Sequence, residues 1–376
     1  MSSITILHII SSSNIGGSPK HTLILCKELE KLGHRTILAF PSGGSFESSF
    51  RQSGITCYNI PSKSIFNPAL HKYISSIIQK ENVDIIHTHE LRADMQGYIS
   101  GLKTNKPVIS TIHNMITHNR LSAFKKPVYY AISRKIYNSI FKTVAVSEAV
   151  KNNLILKLKV HSEKVITIYN GTEIIDLNRL ENPEKTRSIY KIPQDTPILV
   201  CIGRLIPIQK GQEYLIKALP QVLQKHPNTR LLLVGDGSNR QSLEQLSMSL
   251  GLEKNITFTG WQHNIHDILN ASDISVVPSL WDPLPRIVLE SMMVGKPVVG
   301  SSVDGIKEVV VHEETGLLAP PQNSGELAKA IIRLLDNPGL LKELGKKGRN
   351  RVLEQFTAER HAKETLELYQ TCIEES

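Results

Sequence analysis

Asp282 and Glu290 stand eight positions apart in PSLWDPLPRIVLESMMVGKPVVG, residues 278–300, with Arg286 between them. Carboxylates accept hydrogen bonds from hydroxyls, so two of them at the mouth of one helix could grip two sugar rings. Leu284 and Pro285 lead into that helix, and Pro285 suits its start because its fixed φ and missing N–H cost nothing there. The helix should stop before Gly295 and Pro297. Its free N–H groups would favour a phosphate, which the two acids would then flank. Plainer roles exist for the same residues. Arg286 and Glu290 at i and i+4 suit a surface ion pair worth about 0.3–0.5 kcal/mol, and Asp282 beside a proline suits a turn.

A second stretch, CIGRLIPIQKGQEYL, sets Arg204 at the tip of an apolar strand and Lys210 just before the next helix. The planar fork of Arg and the point charge of Lys could converge there on a diphosphate, although most such cations are simply solvated. In the first loop, SSSNIGGSPKH, Ser18 as N-cap and Pro19 in the first turn predict a helix start, and Gly16 and Gly17 would let a ligand come close to the backbone. An ordinary strand-to-helix turn explains those glycines equally well. No G-x-G-x-x-G is present, which weighs against a dinucleotide-dependent dehydrogenase. His87 and His89 in HTH share one strand face, but no Cys or His partner set follows and no D-x-D occurs, so no metal site is expected. His113 closes PVISTIH at a strand tip and is the histidine best placed to meet a ligand, with a structural role the alternative.

Elements that could position these residues recur along the chain. Apolar runs (ITILHII, RTILAF, VDIIHTH, PVISTIH, KTVAVS, then PILVCIGRL, RLLLVGDG, ITFTGW, DISVVPS, KPVVGS) alternate with amphipathic helical patterns. That alternation implies parallel sheets covered on both faces. The series runs twice, on either side of the polar segment LENPEKTRSIYKIPQDTP, which reads as a linker. The expected architecture is α/β, with two Rossmann-like doubly wound domains facing across a cleft and ligand sites at the strand C-termini. Their bounds fall at 1–180 and 181–356, followed by a C-terminal helix in 357–376.

Charge and composition narrow the class. The chain carries 44 Lys and Arg against 35 Asp and Glu. Residues 1–180 hold 22 of those cations against 11 acids, and residues 181–376 hold 22 against 24. No acid occurs from Met95 to Ser147, a stretch holding Arg120, Lys125, Lys126, Arg134 and Lys135, which raises the odds of an anionic partner over a merely solvated face. A helix begun by Pro127 would place Val128, Ile132, Ile136 and Ile140 on one stripe toward the core. Aromatic content of 5% and the lack of RNA-binding aromatic motifs argue against nucleic acid. The four scattered cysteines and the absence of a signal-like N-terminus suggest a reducing cytoplasm.

The ordered set NIGG, DIIHTHE, TIHN, AVSEAV, YNGTE, GRLIPIQKG, LLLVGDG, FTGW, PSLWDPLPRIVLESMMVGKPVV and TGLLAPP resembles the retaining glycosyltransferases of family 4, which have the GT-B fold. The resemblance covers nearly the whole chain. It implies that Arg204 and Lys210 hold a donor diphosphate, Glu290 the nucleoside ribose and Asp282 the donor sugar. It puts His113 beside the transferred sugar and Gly16–Gly17 near donor and acceptor. It further implies a UDP- or GDP-sugar as co-substrate, no cofactor and no metal. The acceptor would be a glycan or lipid-linked glycan in surface polysaccharide, lipopolysaccharide or glycolipid synthesis, at the cytoplasmic membrane's inner face. The C-terminal helix would cross back to the N-domain. Asp282 departs from the usual Glu by one methylene, and Leu284–Pro285 stands where Phe-Gly is common, which bears on the sugar's identity. A sugar-nucleotide isomerase, a phosphorylase of the same fold and a non-catalytic partner subunit are the competing readings.

Overall fold

The computed structural model describes residues 3–14, 16–61, 68–115 and 125–376. The chain divides into two compact units, one of Met1–Glu173 with Ala358–Ser376, the other of Ile174–Thr357.

The first unit holds β1 (Thr5–Ile10), β2 (Arg35–Pro41), β3 (Thr56–Ile60), β4 (Ile85–His89), β5 (Val108–Ile112), β6 (Lys142–Ala145) and β7 (Val165–Thr167), all parallel in the order β3-β2-β1-β4-β5-β6-β7. β4 and β5 are buried along their whole length, as a sheet covered on both faces demands. The C-terminal helix, Ala358–Glu374, packs here: Ala362, Leu368, Tyr369 and Cys372 share one apolar cluster with Leu25 and Leu29 of the helix Gly17–Lys31. Lys142 of β6 and Ile109 of β5 are register partners.

The second unit holds β8 (Ile198–Ile202), β9 (Arg230–Val234), β10 (Ile256–Gly260), β11 (Ile274–Val277), β12 (Val298–Ser301) and β13 (Gly316–Ala319), in the order β10-β9-β8-β11-β12-β13. Its core gathers Leu199, Leu215, Leu219, Leu231, Ile274, Val299 and Ile331.

The segment that reads as a linker is folded into this unit. Asn182 caps the helix Pro183–Ile189, and Arg187 is buried, donating to the carbonyls of Pro193, Gln194 and Thr196 at 2.8–3.2 Å and pairing with Asp273 at 3.3 Å. One buried guanidinium that satisfies three carbonyls organises a segment with no apolar period to reveal it.

Candidate functional site

In each sheet the strand order reverses once, between β1 and β4 in the first and between β8 and β11 in the second. Chains leaving neighbouring strands in opposite directions open a crevice at the strand C-termini, where such sheets bind ligands. Gly16, His113, Arg204, Lys210, Asp282, Leu284 and Pro285 lie on the segments that follow β1, β5, β8 and β11, and Glu290 lies on the helix that the last of these leads into.

In the second unit, the loop after β8 is braced before it reaches Lys210. Gly203 donates to the Val234 carbonyl and Leu205 to that of Asp236, both at 2.9 Å, which carries the chain past the strand end. Arg204 is exposed at that tip and pairs with no acid among the described residues, while its carbonyl accepts from the Gln212 side chain at 3.1 Å. Gly211 begins the next helix with φ +62°, and a Cβ there would lie 2.0 Å from the Pro278 carbonyl oxygen. Only glycine lets this loop sit against the loop after β11. Leu280 N–H donates across the seam to the Gln209 carbonyl at 2.9 Å.

That seam brings Lys210 to Asp282. The ammonium donates to Asp282 Oδ2 at 2.6 Å, with side chains 21% and 7% exposed. The Ser279 hydroxyl lies 3.5 Å from the same oxygen. The Asp282 backbone is fixed as well: its N–H donates to Asp304 at 3.1 Å and its carbonyl accepts from Gly305 at 3.1 Å. Asp282 is therefore neither a free turn residue nor a surface acid. It is a held carboxylate whose cation is also a candidate phosphate ligand.

The helix after it runs Arg286–Met293 with Pro285 at its N-cap. Arg286 and Glu290 do pair at i, i+4, at 3.1 Å, but with side chains 11% and 9% exposed. The surface ion pair expected of the spacing is a buried one. The Arg286 Nη1 has no hydrogen-bond partner, so the guanidinium holds one donor in reserve. Leu284 is buried beneath the turn. Asp282 and Glu290 thus belong to one loop-helix unit yet answer to different cations, Lys210 and Arg286.

In the first unit, the helix after β1 starts at Gly17 with Gly16 as N-cap in extended backbone, and no side chain caps it. This corrects the expectation that Ser18 is the cap. Its hydroxyl is buried without a partner inside the first turn. After β4, Glu90 accepts from the Ser11 hydroxyl at 3.1 Å and from Asn114 at 2.8 Å, tying the three loop starts together.

His113 sits partly exposed at the tip of β5, and its Nε2 lies 3.2 Å from His89 Nδ1. The absence of a partner set around HTH is also corrected. His8 of β1 stands in register with His87 and shares its face with His89. His21 and His361 close over them from two helices, each 4.7 Å or more from its ring neighbours. Burial pushes His8 and His113 down to about 3 and His361 down to about 4, and drives His87 and His89 well below the ordinary histidine range. Nitrogens of His8, His87 and His89 come within 4.8 Å of one another, a grouping that could hold a metal ion. Both nitrogens of His87 are engaged, by the Tyr369 hydroxyl at 2.6 Å and the Thr111 hydroxyl at 2.7 Å. Both of His89 face other histidines.

The basic patch is described in part. Arg120 lies outside the described residues and Lys125 opens the helix Lys125–Ser139. That helix starts two residues before Pro127. Arg134 and Lys135 are exposed and Lys126 half-buried. Of the apolar stripe, Ile136 and Ile140 are buried, Ile132 is half-buried, and Val128 is 61% exposed, so the stripe leaves the core toward its N-terminal end. Among the described residues, no helix is long and apolar enough to cross a membrane.

Two family models match this chain, Glycosyltransferase Family 4 over residues 15–175 and Glycosyl transferases group 1 over residues 182–351. The chain belongs to the group 1, family 4 glycosyltransferases, and it is an enzyme of that class. It is 29% identical to an uncharacterised glycosyltransferase of Methanocaldococcus jannaschii, across 79% of this chain and 78% of that one. It is 26% identical to the UDP-Gal:α-D-GlcNAc-diphosphoundecaprenol α-1,3-galactosyltransferase of Escherichia coli, across 78% of this chain and 76% of that one. Among solved structures it resembles Anabaena HepE in complex with UDP, with a TM-score of 0.88 at 22% identity, covering 98% of this chain and all of that one. That likeness identifies the GT-B fold.

Proposed function

We propose that the chain transfers a sugar from a UDP- or GDP-sugar to a hydroxyl of a glycan or lipid-linked acceptor, with retention of anomeric configuration and without a metal. The observation that carries this reading is the Lys210–Asp282 pair at the β8/β11 reversal, with Arg204 exposed beside it on the same loop. A donor diphosphate needs cationic neutralisation, and these are the two side chains that the β8 loop offers. Phosphate oxygens arriving at Lys210 compete with Asp282 for the ammonium. The freed carboxylate then accepts from a hydroxyl of the sugar next to that phosphate. Glu290, oriented by Arg286, accepts from the ribose. Departure of the diphosphate builds negative charge beside Arg204 and Lys210, and its phosphate oxygen takes the acceptor hydroxyl's proton on the face it leaves. Retention then requires no enzyme nucleophile. The Escherichia coli relative, named for a UDP-sugar donor and an undecaprenol-linked acceptor, supports both halves of the reading.

The division of labour between the acids is testable by donor titration. Glu290→Gln should weaken nucleoside diphosphate and sugar nucleotide alike, by about 1.5–3 kcal/mol, the range of hydrogen bonds to charged groups. Asp282→Asn should weaken the sugar nucleotide while sparing the bare diphosphate. Equal losses for both ligands in Asp282→Asn would overturn the assignment of that carboxylate to the sugar.

We further propose that the basic stretch meets anionic headgroups at the membrane's inner face. Lys126, Arg134 and Lys135 lie on one helix with the exposed Val128. Each nearby cation contributes roughly 1 kcal/mol of attraction. Sedimentation with anionic but not neutral vesicles is expected, lost above about 0.5 M salt as screening shortens. Substituting Lys125, Lys126, Arg134 and Lys135 by Ser should abolish it. Equal sedimentation with both vesicle types, or none with either, leaves the patch to a soluble anionic acceptor.

A further inference from the structure

Three histidines form a row from the interior of the first sheet to the C-terminal end of β5. His8 Nδ1 lies 3.2 Å from His89 Nε2, and His89 Nδ1 lies 3.2 Å from His113 Nε2. Consecutive rings are nearly parallel, at 17° and 20°. The inner end, His8, is fully buried, and its Nε2 has no hydrogen-bond partner. The outer end, His113, is partly exposed.

A neutral imidazole carries one N–H and one bare nitrogen. Two N···N contacts in series therefore share one polarity. Either every ring donates outward through Nδ1, or every ring donates inward through Nε2. The two arrangements differ only at the ends. With inward polarity, His8 Nε2 would carry a buried N–H with no acceptor, and His113 would present a bare nitrogen. With outward polarity, His8 Nε2 holds an unused lone pair, and His113 presents an N–H. Orphaned buried N–H groups are rarer than under-used acceptors in main chains, and the same cost applies to a ring. His87 does not perturb this choice, because both its nitrogens are taken by Tyr369 and Thr111.

We propose that His8 and His89 are positioning residues that lock His113 in the Nδ1–H tautomer, so that the tip of β5 presents a hydrogen-bond donor to an oxygen of the transferred sugar. The tautomer follows from the row alone. Its use on a sugar rests on the glycosyltransferase reading of His113.

The test reads the two parts separately. Ring ¹⁵N NMR of the full chain, labelled at histidine and free of substrate, should show His8, His89 and His113 all protonated at Nδ1 near neutral pH. Nε2–H in these three rings, or mixed tautomers along the row, would overturn the proposal. In His89→Phe, His113 loses the contact at Nε2, and its Nδ1–H signature should give way to an averaged one. Turnover should then fall about two- to fivefold, as the Nδ1–H form drops to roughly a half to a fifth of His113, with affinity for bare UDP or GDP unchanged. If His89→Phe does not fold, His89→Gln serves, since its amide can still contact His113 without imposing one tautomer. An intact Nδ1–H row together with parental turnover in the folded variant would sink the sugar contact alone, leaving the row as a device of the sheet.

Discussion

Arg204→Ala and Lys210→Ala are each expected to lower turnover at saturating donor by about 10²–10³-fold, the usual effect of removing one donor to developing charge. Their effects on stability should differ, and the difference makes the test sharp. Arg204 is exposed with no acidic partner among the described residues, so its removal should leave the melting temperature near the parental value. Lys210 is the cation of an Asp282 side chain only 7% exposed, and deleting it strands a carboxylate in the seam between two loops. A loss of about 1–3 kcal/mol should accompany the loss of rate. Steady-state kinetics with calorimetry on both variants reads the two effects together. Near-parental turnover in both would reduce them to surface cations.

Acid should unfold the first unit well before the second. His8 and His113 are held down to about 3 and His361 to about 4, against an ordinary value of 6.5, by burial. Above pH 6.5 these rings are neutral folded and unfolded, and the shift contributes nothing. Below it the unfolded chain binds protons that the folded unit refuses, so stability falls as pH falls. Each such histidine costs about 1.4 kcal/mol per pH unit until its folded value is reached. At pH 5 the three together reach on the order of 6 kcal/mol, comparable with the whole stability of a domain. His87 and His89, lowered by the same burial, act in the same direction. Calorimetric scans from pH 7 to 4.5 should show one transition dropping steeply and another moving little. Two transitions with the same shallow slope would contradict a buried neutral cluster.

How far the sequence discloses this molecule depends on burial. β1, β8 and β11 are legible as mostly apolar runs sheathed on both faces, and β4 and β5 from the apolar residues that open them. β3, β7 and β13 escape the same reading. They are edge strands of three to five residues, and TCYNI and VIT are half exposed, so no pattern marks them. The Pro183–Ile189 segment escapes because a buried arginine, not an apolar stripe, folds it. Arg204, Lys210, Asp282 and Glu290 are each readable from their local motifs. The pairing of Lys210 with Asp282, 72 positions apart, is not, because it depends on β8 and β11 becoming neighbours through a crossover. The histidine row hides for the same reason. One sign of it is available: ITILHII carries one buried-strand histidine and VDIIHTH two, and β1 and β4 are the pair that a reversal of strand order sets side by side.

The β8 and β11 loops, as the seat of a nucleoside diphosphate, are the centre of the proposed mechanism. Thermal unfolding with UDP, GDP and their sugar conjugates, for the parent chain and an Arg204→Ala/Lys210→Ala double variant, tests this most directly. At least one diphosphate should stabilise the parent, by about 2.7 kcal/mol at a hundred times its dissociation constant, and the double variant should lose that shift. Equal stabilisation of parent and variant, or none of the parent by any nucleotide, would contradict it.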